Sequence, residues 1–328
     1  MLTIGGVRNI IPFMDITALK GRSLLTWLDF QADEIRVLLD FSKRLKEEAS
    51  RSEVKQRLRG KTVALLFEKS STRTRCAFET ALAEEGGHGI FISFADTHLG
   101  KKESIEDSAR VFGRMFSAIE FRGFKQSMAE DLAKYSGIPV FNGLTDDYHP
   151  TQVLADIQTL EENFGSCKGR KLCFSGDGRN NVARSLAIIC SKLGVNFTLI
   201  SPPELKPDTA LTEKCGEFAK VSGAKIEITS NMDAVEGADA IYTDVWASMG
   251  EEEKKQERIK LLTPYQVNQA LMDKTGRKDT IFLHCLPAIR GEEVTADIID
   301  GGQSRVWDEA ENRKHTIKAI MIASIGNL

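Results

Sequence analysis

The feature that most constrains the fold is the alternation of short apolar runs with longer helical patterns. Runs such as Thr62–Phe67 and Asn196–Ile200 are rich in β-branched, leucine and aromatic residues and are too short for helices. Segments with helical spacing, such as Asn181–Leu193, lie between them. Strands that alternate with helices in this way indicate parallel sheets covered by helices, which is an α/β fold.

The alternation falls into two groups along the chain. The predicted strands are 62–67, 89–94, 118–121 and 139–141, then 172–175, 196–200, 225–229, 240–243 and 280–284. The predicted helices are 74–85, 104–116, 128–136, 151–164, 181–193, 209–222, 264–274 and 309–324. A chain of 328 residues exceeds what one hydrophobic core usually serves. We therefore expect two domains, 1–148 and 149–308, each a parallel sheet flanked by helices, with a C-terminal helix (309–328) that packs back on the first.

Composition excludes several classes of protein. The net charge of −3 argues against nucleic acid as the main partner, because phosphate backbones select basic surfaces. The sequence contains no run of roughly 20 apolar residues, so no membrane span is expected, and its first residues do not resemble a secretion signal. The cysteines form no CxxC pair and the histidines do not cluster with them, so we expect no disulfide framework and no structural zinc site. We also expect no metal or organic cofactor in the reaction. These features together predict a cytoplasmic enzyme.

A polar loop, Glu68–Arg75, follows the first strand and leads into a helix. Ligands of open parallel sheets bind beyond the carboxyl ends of the strands. Backbone N–H groups, hydroxyls and arginines at a helix N-terminus are suited to a phosphate group. The simpler alternative is that Ser71 or Thr72 only caps the helix, and the loop by itself leaves both possibilities open.

Further polar side chains follow the third and fourth strands. Arg122 comes directly after the third strand, and His149 and Gln152 stand at the start of the helix after the fourth. A lone histidine at such a position is more often structural than functional. Donors at three strand ends of one sheet, however, are suited to an anion that carries a carbonyl group.

Two of these segments, Ser71-Thr72-Arg73-Thr74-Arg75 and His149-Pro150-Thr151-Gln152, resemble the carbamoyl-phosphate signatures of the aspartate and ornithine carbamoyltransferase family. The likeness runs from about Thr26 to Ile325. It implies that the first domain binds carbamoyl phosphate and that the second binds the amine acceptor. The phosphate would be held by Ser71, Thr72, Arg73 and Thr74. The carbamoyl group would be bound by Thr74, Arg122, His149 and Gln152, with Cys285, Leu286 and Arg313 beside it.

The resemblance also implies an assembly. Members of the family are homotrimers whose active sites lie at subunit boundaries. The segment His98–Ser104 matches the loop that reaches into the neighbouring subunit, so His98 is expected to be the donated phosphate contact.

Two motifs of the second half resemble the ornithine branch of the family. Asp244–Gly250 (DVWASMG) and His284–Pro287 (HCLP) each follow a predicted strand. The resemblance implies L-ornithine as acceptor and L-citrulline as product, whereas aspartate enzymes lack both motifs. Ornithine would be bound by Asn181, Asp244, Ser248 and Met249. The expected catalytic residues are Arg122, His149 and Cys285.

The sequence is less consistent with two other functions. Gly176–Asn181 begins like a dinucleotide-binding loop, but no acidic residue ends the next strand, which disfavours a dehydrogenase. A non-catalytic binding protein would be expected to have lost a reactive residue, and none of those named is missing. The sequence leaves open acylated ornithine as an acceptor, the direction of the reaction in the cell, allosteric regulation and assembly beyond the trimer.

Overall fold

A computed structural model describes residues 15–53, 55–99, 102–247 and 255–328. It confirms the α/β fold with two parallel sheets. The strands are β1 Thr62–Phe67, β2 His88–Ser93, β3 Ala118–Arg122, β4 Val140–Leu144, β5 Lys171–Ser175, β6 Asn196–Ile200, β7 Ile226–Thr229, β8 Ala240–Tyr242 and β9 Ile281–Leu283. The helices are α1 Ala32–Ser50, α2 Thr72–Glu84, α3 Ile105–Met115, α4 Gln126–Ser136, α5 Pro150–Phe164, α6 Asn181–Leu193, α7 Thr209–Ser222, α8 Lys255–Leu262, α9 Gln269–Lys274, α10 Ala296–Ile299 and α11 Val306–Ile325.

In the described part of the chain, the first sheet has four strands in the order β2-β1-β3-β4 and the second has five in the order β7-β6-β5-β8-β9. Every pairing between these strands is parallel. The carboxyl ends of β1 and β3 are level, because Phe67 pairs with Arg122. That register places the loop after β1 beside the arginine at the end of β3.

One continuous core joins the two sheets. Leu65 of β1 and Phe174 of β5 belong to the same buried cluster, which also takes in side chains of α5 and α11. Helix α5 is buried along most of its length and carries Pro150 at its first turn, where a missing N–H costs nothing. Helix α11 packs on α1, α2 and α5. The buried side chains of α5 and α11 therefore lie in the same core as those of the two sheets.

The structure differs from the predicted elements in two main respects. Helix α1 has no counterpart among the predicted helices. The predicted helix 264–274 is shorter and begins later, because Thr263–Tyr265 forms a 3-10 turn and Asn268 caps α9 by accepting a hydrogen bond from Leu271 N at 3.1 Å. On α8, Arg258 is buried and pairs with Asp177 at 2.7 Å. Within the described residues, the helices are too short or too polar to cross a bilayer.

Candidate active site

The loop after β1 turns into α2 with its N-terminus facing the end of β3. Ser71 caps the helix, and its Oγ accepts a hydrogen bond from Thr74 N at 3.2 Å. Arg73 is half-buried and Thr72 is exposed in the first turn. The capping interpretation is therefore correct for Ser71. It leaves the other N–H groups of the first turn available to an anion.

The hydroxyl of Thr74 joins three elements. It accepts hydrogen bonds from Arg122 Nη1 at 3.3 Å and from Arg313 Nη2 at 3.0 Å. Thr74 lies on α2, Arg122 at the end of β3 and Arg313 on α11. All three residues are buried. Two guanidinium groups from distant parts of the chain therefore meet at one point.

These guanidinium groups are short of acceptors. Arg122 Nε and Arg313 Nε are buried, and neither atom has a hydrogen-bond partner among the described residues. Burial lowers the pKa of Arg122 to about 10, and the nearby Arg313 adds to the effect. A buried group of cations with free donors is a site for an anion, because an anion would supply both the charge and the acceptors.

His149 lies against the same cations. Its backbone N–H donates to Ser185 Oγ at 2.9 Å, and its ring is buried. Burial lowers the pKa of His149 well below its ordinary value, and Arg313, Arg122 and Arg73 lower it further. The imidazole is therefore neutral at neutral pH. A neutral imidazole can donate one hydrogen bond to a carbonyl oxygen without bringing another charge into the site.

Gln152 completes this side of the site. Its Oε1 accepts a hydrogen bond from Arg313 Nη1 at 2.8 Å. Its Nε2 donates to Asp156 Oδ1 and to Glu309 Oε1, both at 2.8 Å. Thr74 of α2, Arg122 of β3 and Gln152 of α5 thus come together with Arg313 of α11, whereas Thr72 is exposed in the first turn of α2.

The second sheet contributes Asp244 and Cys285, which follow β8 and β9. Cys285 Sγ donates to Asp244 Oδ1 at 3.1 Å, and Asn180 Nδ2 donates to Asp244 Oδ2 at 2.8 Å. Burial raises the pKa of the Cys285 thiol well above its ordinary value, and the Asp244 carboxylate raises it further. The charged form of Cys285 would raise the pKa values of Arg122 and Arg313, so the thiol lies near these two cations. The two motif groups therefore meet across the space between the sheets.

The HCLP segment is held by its own histidine. His284 Nδ1 accepts a hydrogen bond from Leu286 N at 2.8 Å, and Nε2 lies 3.2 Å from Glu293 Oε1. Asp244, His284 and Cys285 offer metal-ligand atoms within 4.8 Å of one another. Both ring nitrogens of His284 are nevertheless engaged inside the protein, so its role here is to hold the loop.

The other predicted residues are placed less directly. Asn181 begins α6, and its Nδ2 donates to Thr145 O at 2.6 Å, so it ties α6 to the loop after β4. His98 is exposed between β2 and α3. Ser248 and Met249 lie outside the described residues.

Two family descriptions match the chain. Residues 22–162 match "Aspartate/ornithine carbamoyltransferase, carbamoyl-P binding domain", and residues 168–324 match "Aspartate/ornithine carbamoyltransferase, Asp/Orn binding domain". The chain belongs to the aspartate/ornithine carbamoyltransferase family. Thr74 and Arg122 lie in the first of these matches, and Asp244, Cys285 and Arg313 lie in the second.

Relatives named for one activity cover nearly the whole chain. It is 62% identical to an ornithine carbamoyltransferase from Thermotoga petrophila, over 94% of this chain and 98% of that protein. It is 52% identical to a catabolic ornithine carbamoyltransferase from Bacillus licheniformis, over 94% and 98%. The solved structure of ornithine carbamoyltransferase from Pyrococcus furiosus superposes with a TM-score of 0.91 at 44% identity, over 94% and 98%.

Sequence reasoning missed three acidic residues of this carbamoyltransferase family member. Asp156 and Glu309 contact Gln152, and Glu120 is fully buried beside Arg122 and Arg313. In the sequence, each of these residues could have been noticed as an acidic residue within an otherwise apolar strand or helix face. Charged residues are almost never fully buried unless they are paired, so such a position indicates a polar network.

Proposed function

We propose that this protein transfers the carbamoyl group of carbamoyl phosphate to the side-chain amine of L-ornithine, giving L-citrulline and phosphate. The observation that carries the proposal is the pair of guanidinium groups that donate to Thr74. Cys285, which donates to Asp244, lies near both of them. A donor substrate that is an anion and an acceptor substrate that is a cation would thus bind next to each other. The names of the relatives support ornithine as the acceptor.

The phosphate would bind at the N-terminus of α2. The first-turn N–H groups and the hydroxyls and guanidinium there provide hydrogen bonds of the kind that phosphate oxygens accept. We assign this contact to Ser71, Thr72, Arg73 and Thr74. The half-buried Arg73 acts electrostatically on Arg122 and Arg313, so its charge reaches the same point.

The carbamoyl carbonyl would lie among Arg122, His149 and Arg313. Negative charge gathers on its oxygen as the amine attacks, and positioned donors stabilise that charge. One such donor is typically worth about 3 kcal/mol of activation free energy. The cations are already in place in this structure, so little reorganisation is needed when the charge develops. Cys285 and Leu286 would line the same group from the second domain.

The amine has to lose protons to react. An alkyl ammonium has a pKa of about 10.4 and is not nucleophilic while protonated. The Cys285 thiol and the Asp244 carboxylate offer acceptors for the amino groups of ornithine. Phosphate, as it leaves, can accept the proton that the attacking nitrogen releases. Alignment of the two bound substrates would supply much of the remaining rate enhancement.

A covalent role for Cys285 is disfavoured. The thiolate is the nucleophilic form, and both burial and Asp244 raise the pKa of this thiol. We therefore assign Cys285 to positioning the amine. Asn181, Ser248 and Met249 would complete the ornithine site, by the family resemblance.

We further propose a homotrimer in which His98 contacts the phosphate in a neighbouring subunit. His98 is exposed in this single chain and lies on the side of the first domain where β2 is the edge strand. The cytoplasm is the compartment we propose, because it keeps thiols reduced and all the cysteines of the chain are free.

The test is citrulline formation from carbamoyl phosphate with L-ornithine, putrescine, aspartate and N-acetyl-ornithine compared side by side. We expect activity with ornithine, with a loss of at least about a hundredfold in Arg122→Ala, as for removal of a single oxyanion donor. Activity with a different amine would overturn the acceptor assignment and keep the carbamoyl-phosphate site. No turnover with any acceptor would favour a binding protein.

A further inference from the structure

Two acidic side chains are packed against each other beside Gln152. Asp156 on α5 and Glu309 on α11 are both fully buried, and both accept a hydrogen bond from Gln152 Nε2, each at 2.8 Å. A proton on one of the two carboxyl groups would let that group donate to the other. Two ionised carboxylates would also repel strongly at this depth. The pair therefore holds one proton.

The surrounding donors indicate which oxygen carries it. Glu309 Oε1 accepts from Gln152 Nε2 at 2.8 Å and from Tyr242 OH at 3.1 Å, and Glu309 Oε2 accepts from His284 N at 2.9 Å. Asp156 Oδ1 accepts from Gln152 alone, and Asp156 Oδ2 is buried with no partner in the described part of the chain. Three donors favour the ionised form of Glu309, and an oxygen without a donor favours the acid form of Asp156.

The pair also fixes the amide of Gln152. The oxygen and the NH2 group of this amide are alike in shape, so only their hydrogen bonds decide the orientation of the amide. Glu309 and Asp156 Oδ1 accept hydrogen bonds, so the NH2 group of Gln152 has to face them. Arg313 can only donate, and it contacts the oxygen end at 2.8 Å. A reversed amide would set a donor against Arg313 and an acceptor against Glu309.

We propose that Asp156 holds a proton that it donates to Glu309, and that this acid pair is a positioning device that keeps the amide oxygen of Gln152 directed at the substrate. The inference rests on the proposed function. In that function, the oxygen accepts a hydrogen bond from the NH2 group of carbamoyl phosphate, a group that acetyl phosphate and other acyl phosphates lack. The pair thereby contributes to the choice of a carbamoyl donor. It also joins α5 and α11 to β8 and β9, so it couples the carbamoyl-phosphate side to the strands that carry Asp244 and Cys285.

The other ionisable groups around the pair do not displace the proton. Burial raises the pKa of Asp156 well above its ordinary value, Glu309 raises it further, and Arg313 opposes the shift. Burial also raises the pKa values of Tyr242 on β8, Cys285 after β9 and Cys190 on α6 well above their ordinary values, so these three groups are uncharged at neutral pH. His284 after β9 also faces Glu309, and a positive charge there would lower the pKa of that carboxyl and favour its ionised form.

The test compares two isosteric variants, Asp156→Asn and Glu309→Gln, by steady-state kinetics from pH 6 to pH 10. In Asp156→Asn, the side-chain NH2 group donates to Glu309 in place of the carboxyl proton. The side-chain oxygen still accepts from Gln152. We expect its KM for carbamoyl phosphate to stay within about twofold of the wild type. In Glu309→Gln one acceptor oxygen becomes an NH2 group, which meets either the donors of Gln152 and Tyr242 or the backbone N–H of His284. We expect its KM for carbamoyl phosphate to rise at least about tenfold, with a much smaller change in the KM for ornithine.

The pH dependence separates positioning from a general loss of packing. Loss of the Asp156 proton sets two carboxylates against each other, so the wild type should show an alkaline fall in kcat/KM for carbamoyl phosphate that Asp156→Asn lacks. The opposite ranking of the variants would place the proton on Glu309 and overturn the assignment. Equal losses in kcat with unchanged KM values would overturn the positioning role.

A spectroscopic measurement covers the case in which Glu309→Gln does not fold or the wild type makes no citrulline. The infrared difference spectrum of wild type minus Asp156→Asn at neutral pH should contain the C=O band of a protonated carboxyl group. Its absence would overturn the proton assignment whatever the activity. Citrulline formation by the wild type without that band would leave the proposed function standing and remove this inference alone.

Discussion

Arg122 and Arg313 lie on either side of the Thr74 hydroxyl, which accepts a hydrogen bond from each. Thr74 and Arg313 are 239 residues apart in the sequence. Both guanidinium groups are buried, and the charge of Arg313 lowers the pKa of Arg122. An anion bound beside the two buried cations would offset the cost of placing them close together.

The first prediction concerns this pair. Arg313→Met should weaken the binding of carbamoyl phosphate by at least about tenfold, because a hydrogen bond to a charged group is worth about 1.5–3 kcal/mol. Isothermal titration with carbamoyl phosphate, and separately with the product phosphate, measures the effect. Arg110→Met is the control, since Arg110 is exposed on α3. Equal affinities in the two variants would contradict the anion site.

The second prediction concerns the Cys285 thiol. Its pKa is raised first by burial and then by Asp244, so Asp244→Asn should lower the pKa and speed alkylation at a given pH. The rate of iodoacetamide modification of Cys285 against pH is the measurement, in a Cys76→Ser background because Cys76 is exposed. Asp279→Asn, a change at an exposed carboxylate, is the control. An unchanged or slower rate in Asp244→Asn would show that the carboxylate does not act on the thiol.

The third prediction concerns Gly143 on β4. It is the extra residue where the pairing with β3 shifts, because Phe121 pairs with Asn142 and Arg122 with Leu144. A Cβ at this position would lie 1.9 Å from Glu120 Oε1 and 3.1 Å from Thr74 Cγ2. Gly143→Ala should therefore lower the free energy of unfolding by about 1–3 kcal/mol and also weaken carbamoyl-phosphate binding.

The matched control for that change is Gly216→Ala in the middle of α7. Nothing lies within 4 Å of a Cβ there. Alanine in a helix interior is favoured over glycine by about 0.5–1 kcal/mol, so this variant should be slightly more stable. Urea unfolding of both variants measures the difference. A Gly143→Ala protein as stable as Gly216→Ala would show that Glu120 can move at little cost.

The fourth prediction concerns stability against pH. Burial lowers the pKa of His315 to about 4 from an ordinary 6.5, and Lys314 adds to the effect. The unfolded chain therefore binds the proton more readily than the folded protein. Stability is fully present above pH 6.5 and is lost as the pH falls towards 4, by about 3 kcal/mol in total.

His315→Gln should flatten the stability curve in that range, measured by urea unfolding at several pH values. His149 is unchanged in both proteins, so the difference isolates His315. The exposed His88→Gln is the control. Parallel curves for His315→Gln and the wild type would show that the buried imidazole takes up its proton without opposing folding.

The sequence was informative about elements whose burial is uniform. The structure reproduces the predicted bounds of Asn196–Ile200 and Asn181–Leu193, because buried parallel strands are nearly continuous apolar runs and their helices have clear caps. Helix α1 was missed although its apolar spacing is visible. It precedes the first strand and therefore falls outside the strand–helix alternation on which the prediction was built.

By itself, then, the sequence determined the fold class, the motifs at the strand ends and the family resemblance, because these depend on residue type and local spacing. Only the tertiary structure decided which side chains share a hydrogen bond. The contact between Gln152 and Glu309 joins residues 157 positions apart, and neither residue type indicates the other as a partner. The packing of α11 between the two sheets brings such residues together, and burial there changes their protonation.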